Sequence, residues 1–195
     1  HALPETDKPS EGLPVAKISA LHSELPLAAV YALPARTSKE AAEKWQGWFC
    51  VSITRQGMLK KSALTELPGA SANTFTLAKV NEGDRLGWIR FSNGDNEIML
   101  VTANGAAIRF SEEEVRPMGL AAAGVMGIKL GKDDEVIGAE LLPHPGEVFL
   151  VASDGSAKRV SIDQFSRQGR YGQGITAWKL PAKVTIAGMA VGEGT

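Results

Sequence analysis

The amino-acid sequence predicts an all-β, propeller-like fold that is built from repeats of about 50 residues. Dipeptides typical of tight hairpin turns occur three times, with glycines 48 and 50 residues apart: Gln56-Gly57, Asn104-Gly105 and Asp154-Gly155. An apolar run that suits a mostly buried strand precedes each turn (48–54, 97–102 and 147–152). A strand-like segment follows each turn and carries a basic residue four positions after the glycine: Lys61, Arg109 and Arg159.

The remainder of each repeat follows the same order of elements. After the hairpin comes a polar segment with a hydrophobic anchor (64–67, 112–115 and 162–165). A loop and a predicted strand with a Lys-apolar pair come next: Lys79-Val80, Lys129-Leu130 and Lys179-Leu180. A last strand closes each repeat (85–89, 135–139 and 185–189). Four short strands per repeat are typical of a propeller blade.

The N-terminal part is predicted to be half a copy of this repeat. Residues 15–18 are similar to the Lys-apolar strand, and residues 27–31 are similar to the last strand. Between this part and the first full copy, residues 37–46 predict a short helix. We expect about four blade equivalents in one domain, 13–195, after a flexible lead-in. The predicted parts are the lead-in 1–12, a half blade 13–36 and blades at about 47–95, 96–145 and 146–192.

Composition and charge limit the possible classes of function. The chain has 195 residues with 44% hydrophobic and 22% charged residues, as in globular proteins. Its 21 basic and 22 acidic residues give a net charge of −1, which argues against a uniformly basic surface and allows a local basic patch. A single cysteine, Cys50, excludes an internal disulfide and predicts a cytoplasmic setting.

The sequence predicts no catalytic site, no cofactor and no metal. The histidines are far apart in the chain and have no metal-ligand spacing: His1, His22 and His144. Cys50 lies inside an apolar strand, where a thiol is usually inert. The acidic runs 112–114 and 133–135 are predicted to be solvated turn charge, because acid-base catalysis needs carboxylates that converge in space.

Residues 99–110, with 115–119 and 124–130, closely resemble the C-terminal repeat of the DNA gyrase A subunit, and the topoisomerase IV A subunit carries related repeats. The resemblance covers about residues 48–190 and is closest in the middle copy. It implies a β-pinwheel, a propeller in which neighbouring blades exchange strands and whose basic outer rim binds and bends duplex DNA. The implied partners are double-stranded DNA, the ATPase B subunit and the remainder of the topoisomerase A subunit. The implied domain is not an enzyme by itself and belongs to an ATP-dependent type IIA topoisomerase of the nucleoid.

The family also has a box of the form Q-R/K-R-G-G-R/K-G that is needed for chiral DNA wrapping. Residues 168–174 fall in its frame and depart from it at Gly169, Tyr171 and Gln173. They are interpreted either as a degenerate box or as the equivalent loop of an ordinary blade. The residues that match the box are Gln168, Arg170, Gly172 and Gly174.

A propeller repeats one side chain at one place in every blade, so recurrent cations are the candidates for phosphate contact. The candidate DNA-binding residues are Lys61, Arg109, Arg159, Lys129, Lys179 and Arg170, and Lys79 recurs at the same place as Lys129. Nothing in the pattern favours base-edge contacts, so the predicted binding tolerates any DNA sequence. The alternative is a propeller scaffold for a protein partner with an eroded DNA-binding rim. It is suggested by the near-neutral charge and by uncharged residues where relatives carry arginines: Leu120, Ala123 and Met126. A third possibility, a propeller enzyme, would need carboxylates or histidines that converge in a central pocket.

Overall fold

The structure is a computed structural model that describes residues 5, 7–8, 11–17, 27–33, 43–68, 74–143 and 145–193. Short strands and single-turn 3-10 helices make up its regular structure. The strands are β1 (Phe49–Thr54), β2 (Met58–Ala63), β3 (Leu86–Ser92), β4 (Glu97–Thr102), β5 (Ala106–Ser111), β6 (Val125–Met126), β7 (Val136–Leu142), β8 (Gly146–Ala152), β9 (Ala157–Ser161), β10 (Ile175–Thr176) and β11 (Ile186–Glu193). The 3-10 helices are Val15–Lys17, Leu64–Glu66, Glu112–Glu114 and Ile162–Gln164.

Each predicted hairpin is present and forms the centre of one antiparallel sheet. The strand orders are β3-β1-β2-β6 in the first sheet, β10-β5-β4-β7 in the second and β11-β8-β9 in the third. Gly57, Gly105 and Gly155 have φ values of 80°, 90° and 86°. These left-handed conformations are what the tight turns require, and glycine adopts them at low cost.

Neighbouring sheets exchange a strand. Strand β6 belongs to the second repeat in sequence but pairs with β2 of the first, and β10 of the third repeat pairs with β5 of the second. Just before these strands stand Gly124 and Gly174, with φ values of 102° and 76°. A Cβ atom at either glycine would lie 2.5 Å from a carbonyl oxygen of the accepting strand, that of Leu59 or Ala107. The close approach of the two backbones therefore requires glycine.

The core lies between the sheets. On β4, Ile98 and Leu100 pack in a cluster with β1, β2 and β5, whereas Met99 and Val101 pack in a second cluster with β8. All four side chains are fully buried, because the second sheet is covered on both faces. A third cluster covers the other side of the first sheet and contains Trp45, Cys50, Leu64 and Leu67.

The predicted strands with the Lys-apolar pairs are wrong. The pairs Lys79-Val80, Lys129-Leu130 and Lys179-Leu180 all lie outside strands, and the exchanged strands β6 and β10 end shortly before the second and third pairs. In the first repeat the corresponding residues, 74–80, form no strand. The reason is that this segment leaves its own sheet to reach the preceding one, so only two residues can pair.

The two strands predicted for the N-terminal half copy are also wrong. Residues 15–17 form a 3-10 helix, and 27–33 have no regular structure. The latter segment packs beside β3, where the Tyr31 hydroxyl donates to the Ile89 carbonyl at 2.6 Å and the Tyr31 ring meets Phe91 edge-on. Of the helix predicted at 37–46, residues 37–42 lie outside the described part, Glu43 is helical and a turn follows. The lead-in 1–12 is described only at a few positions, and the predicted domain boundaries stay predictions. None of the helices described here has the length and apolar character that crossing a membrane requires.

Candidate nucleic-acid interface

Lys61, the first recurrent cation, lies inside the protein. Its Nζ is 3.3 Å from Glu112 Oε1 without hydrogen-bond geometry, and it donates to the Glu112 carbonyl at 3.3 Å. The two side chains are 5% and 0% exposed. Ser92 Oγ and Asn96 Nδ2 donate to the other carboxylate oxygen, Asn96 at 3.1 Å. Lys61 therefore joins the first and second repeats, and its ammonium is not accessible to a DNA phosphate.

Arg109, the equivalent residue of the second repeat, has a similar environment. Its Nε donates to Glu97 Oε2 at 2.6 Å, and its side chain is 12% exposed. Its Nη1 donates to the carbonyls of Ile162 and Phe165, at 3.0 and 3.1 Å, and so holds the 3-10 helix of the third repeat. Arg109 is an inter-repeat tie.

Arg159, the third member, is exposed. Its Nη1 lies 3.3 Å from Glu147 Oε2, and its side chain is 62% exposed. The same position is thus buried in the first two repeats, where a following repeat covers it, and accessible in the third. Of the three cations at this position, only Arg159 can reach a phosphate in this structure.

Arg170 connects its loop to the second repeat. Its guanidinium donates from Nη1 to the Met126 carbonyl at 2.5 Å and from Nε to the Glu114 carbonyl at 3.2 Å. Its backbone N–H donates to Glu114 Oε2 at 2.7 Å. These contacts hold the guanidinium, which is half-buried, against the protein.

The box-like loop 168–174 is docked on the second repeat through its backbone. The Gln168 N–H donates to the Arg109 carbonyl at 2.8 Å, and the Tyr171 N–H donates to the Gly127 carbonyl at 2.8 Å. The Gly172 carbonyl accepts from the Lys129 N–H at 2.9 Å. The uncharged loop of the second repeat begins in the same way, because the Met118 N–H donates to the Lys61 carbonyl at 2.8 Å. The loop is therefore built like that of an ordinary blade, with one difference: the exposed Tyr171 has a φ of 67°.

A second set of recurrent cations is exposed. Lys79, Lys129 and Lys179 stand at the same place in the three repeats, and within the described part of the chain no acidic side chain pairs with them. The hydrogen bond from the Lys129 backbone places this lysine beside the loop of the next repeat. Two further cations at the start of these loops are exposed and were missed from the sequence: Arg116 and Arg167. They escape a search for recurrence because they occupy adjacent, not identical, loop positions, as Pro117 and Arg167 are the residues that bridge to the accepting strands.

Two lysines beside the recurrent cations also point inward. The Lys60 ammonium donates to the carbonyls of Leu77 and Leu120, at 2.8 and 2.5 Å, and that of Lys158 donates to the Ala177 carbonyl. Burial lowers the pKa of both lysines. They fix the crossing loops and add nothing to the exposed charge.

The groups considered for catalysis have structural surroundings. Burial raises the pKa of the Cys50 thiol to about 11, so the thiol stays protonated. The Asp134 carboxylate accepts the N–H groups of Asn104 and Glu135, at 3.0 and 2.9 Å, and caps the hairpin turn of the second repeat. The described residues contain no group of three or more histidines, cysteines or carboxylates that could hold a metal ion.

Successive antiparallel sheets that each take a short strand from the next repeat define a strand-exchanged propeller, the β-pinwheel. The chain belongs to the family described as DNA gyrase C-terminal domain, beta-propeller, which matches residues 49–86, 96–143 and 146–192. The matched segments begin and end close to the predicted blades.

The similar proteins agree with this family. The chain is 31% identical over 180 residues to the DNA gyrase A subunit of Salmonella typhimurium, covering 92% of this chain and 20% of the relative. It is 34% identical over 177 residues to the DNA gyrase A subunit of Mycolicibacterium smegmatis, covering 90% of this chain and 20% of the relative. The chain thus spans about a fifth of the length of these relatives.

Solved structures show the same fold. The C-terminal domain of DNA topoisomerase IV matches with a TM-score of 0.72 and 27% identity, over 76% of this chain and 48% of that one. The E. coli ParC C-terminal domain matches with a TM-score of 0.62 and 13% identity, over 74% of this chain and 62% of that one. At that identity the second likeness concerns the fold alone.

Proposed function

We propose that this chain is a non-catalytic domain that binds and bends duplex DNA for a type IIA topoisomerase A subunit, either a gyrase or a topoisomerase IV. The observation that carries the proposal is the exposed lysine at one place in every repeat, Lys79, Lys129 and Lys179. Membership of the DNA gyrase C-terminal domain family supports it. The alternative of a protein-binding scaffold with an eroded rim is not favoured by this family.

The exposed cations suit a line of phosphates. Duplex DNA carries regularly spaced negative charge, and sequence-independent binding needs basic side chains that recur along a curved surface. The three lysines recur with the repeat, and Arg116 and Arg167 lie on loops beside them. Contacts of this type carry no base information, so we expect affinity for any duplex and a preference for DNA that bends at low cost.

The cations predicted from the hairpins have different roles in this proposal. Lys129, Lys179 and Arg159 are phosphate contacts because they are exposed. Lys61 and Arg109 act indirectly, since their ion pairs fix the position of one repeat against the next. Arg170 positions its loop through the Met126 and Glu114 carbonyls, and the loop backbone supports Lys129.

The proposal includes the setting of the whole protein. In it, the domain presents bent DNA to the cleavage core in the remainder of the A subunit, and the ATPase B subunit completes the enzyme. The expected location is the bacterial cytoplasm, at the nucleoid. The domain itself needs no cofactor and no metal for this role.

A charge-removal experiment tests the proposal. Lys79, Lys129 and Lys179 are changed together to Gln, and fluorescence anisotropy follows binding to a labelled duplex of about 40 base pairs over a range of salt concentrations. Losing three phosphate contacts should reduce the slope of log affinity against log salt by about 2.7. The matched control changes three other exposed lysines, Lys8, Lys17 and Lys44, with the same loss of net charge. Equal slopes in the two variants would refute the assignment of the binding surface, and no binding by the unaltered chain at 50 mM salt would refute the function.

A further inference from the structure

The strand exchange leaves one accepting edge without a donor. Strands β2 and β5 each receive a short strand from the next repeat, β6 and β10. Strand β9 is their equivalent in the third repeat, and no described residue pairs with its outer edge. Its N–H and C=O groups on that side are open to another strand.

The face of the third sheet beside this edge is also uncovered. Phe149 and Val151 are 41% and 45% exposed. Their equivalents, six and four residues before the turn glycines of the other repeats, are at most 1% exposed: Val51, Ile53, Met99 and Val101. In the first two repeats a following repeat covers these positions, so this face has the chemistry of a surface that another blade covers.

The opposite end of the molecule has an unused donor. Residues 74–76 stand where β6 and β10 stand in the other repeats, they are exposed, and none of the described residues pairs with them. The Phe75 side chain is 48% exposed. Leu77 follows and packs on a cluster that also lines an apolar cleft of 520 Å³. Exposed Leu33 and Trp48 line the same cleft.

We infer that the chain associates head to tail, with residues 74–77 of a second copy pairing with the free edge of β9. The existing exchanges set the register, because Leu59 pairs with Val125 and Ala107 pairs with Ile175. Phe75 of the second copy then pairs with Ala157. In the two existing exchanges the residue after the short strand donates to the turn glycine, Gly127 to Gly57 and Ala177 to Gly105, each at 2.8 Å. In the same way, Leu77 donates to the Gly155 carbonyl.

The occupant is a second copy because the two ends of this chain complement each other. One end supplies an unpaired edge and two exposed apolar side chains, and the other supplies the unpaired segment and an apolar cleft. Phe149 and Val151 would pack against the cleft beside Trp48. Such a contact joins different surfaces of two copies, so it continues into larger assemblies or closes into a ring.

One residue limits the strength of the association. Thr74 stands where Gly124 and Gly174 precede the exchanged strands, with left-handed φ values and no room for a Cβ atom. Thr74 must therefore pair with a less close approach of the backbones. Changing Thr74 to Gly should strengthen the association about tenfold, since a non-glycine residue adopts the left-handed conformation at a cost of that size.

Analytical ultracentrifugation from low micromolar to near-millimolar concentration tests the inference on three proteins: the unaltered chain, Thr74→Gly and Ala157→Pro. We expect the average mass of the unaltered chain to rise with concentration, and that of Thr74→Gly to rise at about tenfold lower concentration. Ala157→Pro should stay monomeric with an unchanged unfolding temperature. The Ala152 N–H bonds the Ser156 carbonyl across the hairpin, so the next N–H, that of Ala157, faces away from β8.

Two results would overturn the inference. The first is a single monomer mass for both the unaltered chain and Thr74→Gly at every concentration. The second is association of Ala157→Pro as strong as that of the unaltered chain, which would place the contact on another surface. Neither result depends on DNA binding, so the outcome is separate from that of the proposed function.

Discussion

Changing Lys61 to Met separates a structural role of this position from a role in DNA binding. The Lys61 ammonium and the Glu112 carboxylate are almost completely buried and lie 3.3 Å apart. Removing the cation leaves a buried carboxylate without its counter-charge, which costs about 3–5 kcal/mol of stability in such pairs. Ser92 and Asn96 continue to donate to Glu112, so we expect a value near 3 kcal/mol.

The effect is measurable by thermal and urea unfolding. For a domain of this size, about 3 kcal/mol corresponds to a fall of roughly 6–12 °C in the unfolding temperature. The double variant Lys61→Met with Glu112→Gln should recover part of the loss, because no unpaired charge stays in the interior. DNA affinity at low salt should be unchanged below the unfolding temperature.

The matched control is Lys79→Met, which changes an exposed lysine of the same repeat. It should leave stability within about 0.5 kcal/mol and should lower the salt dependence of DNA binding by about 0.9 in slope. If Lys61→Met kept full stability and weakened DNA binding as Lys79→Met does, the assignment of Lys61 to the interior would be refuted.

Three further predictions follow from the described contacts. Because burial raises the pKa of the Cys50 thiol to about 11, the folded protein should resist alkylation at pH 8 and react freely in urea; rapid labelling of the folded protein would contradict this. The same shift means that the folded state keeps a proton that the unfolded state releases, so stability should fall as the pH rises from about 9 towards 11 in urea titrations; a rise over this window would contradict it. Tyr171→Gly should raise the free energy of unfolding by about 1 kcal/mol, because a bulky residue at a φ of 67° is strained; a loss would mean that the ring makes stabilising contacts. Gly174→Ala should destabilise by more than about 2 kcal/mol, because its Cβ would lie 2.5 Å from the Ala107 carbonyl oxygen, whereas Gly155→Ala, with a similar φ and open space, should cost only about 1 kcal/mol; equal losses would show that strand exchange does not need the glycine.

Local patterns predicted much of the fold. The dipeptides at Asn104-Gly105 and Asp154-Gly155 indicated the hairpins because a tight turn needs left-handed φ values, which few residues adopt. The period of about 50 residues indicated the stack of similar sheets. The exchange of strands was implied only by the family resemblance, because pairing of β6 with β2 joins residues far apart in the chain.

The environment of the recurrent cations could not be predicted from the repeat alone. Strand alternation correctly implied that Lys60 and Lys61 point to opposite sides, but both sides of this strand are covered by other parts of the protein. The carboxylate that pairs with Lys61 comes from the next repeat, and spacing in the sequence does not show that it will be close. Lys129 was expected on a strand because an apolar residue follows it, but its N–H bonds the Gly172 carbonyl of another repeat and holds it in a loop.

The salt dependence of DNA affinity of the unaltered chain is the most direct test of the proposed function. Fluorescence anisotropy with two unrelated duplexes of about 40 base pairs would compare dissociation constants at 50 and 200 mM salt. Phosphate contacts by about five exposed cations predict a slope near −4.5, a loss of about 500-fold in affinity between the two salt concentrations, and similar values for both sequences. Weakening of less than about tenfold, or binding of only one of the two duplexes, would contradict an interface made of repeated phosphate contacts.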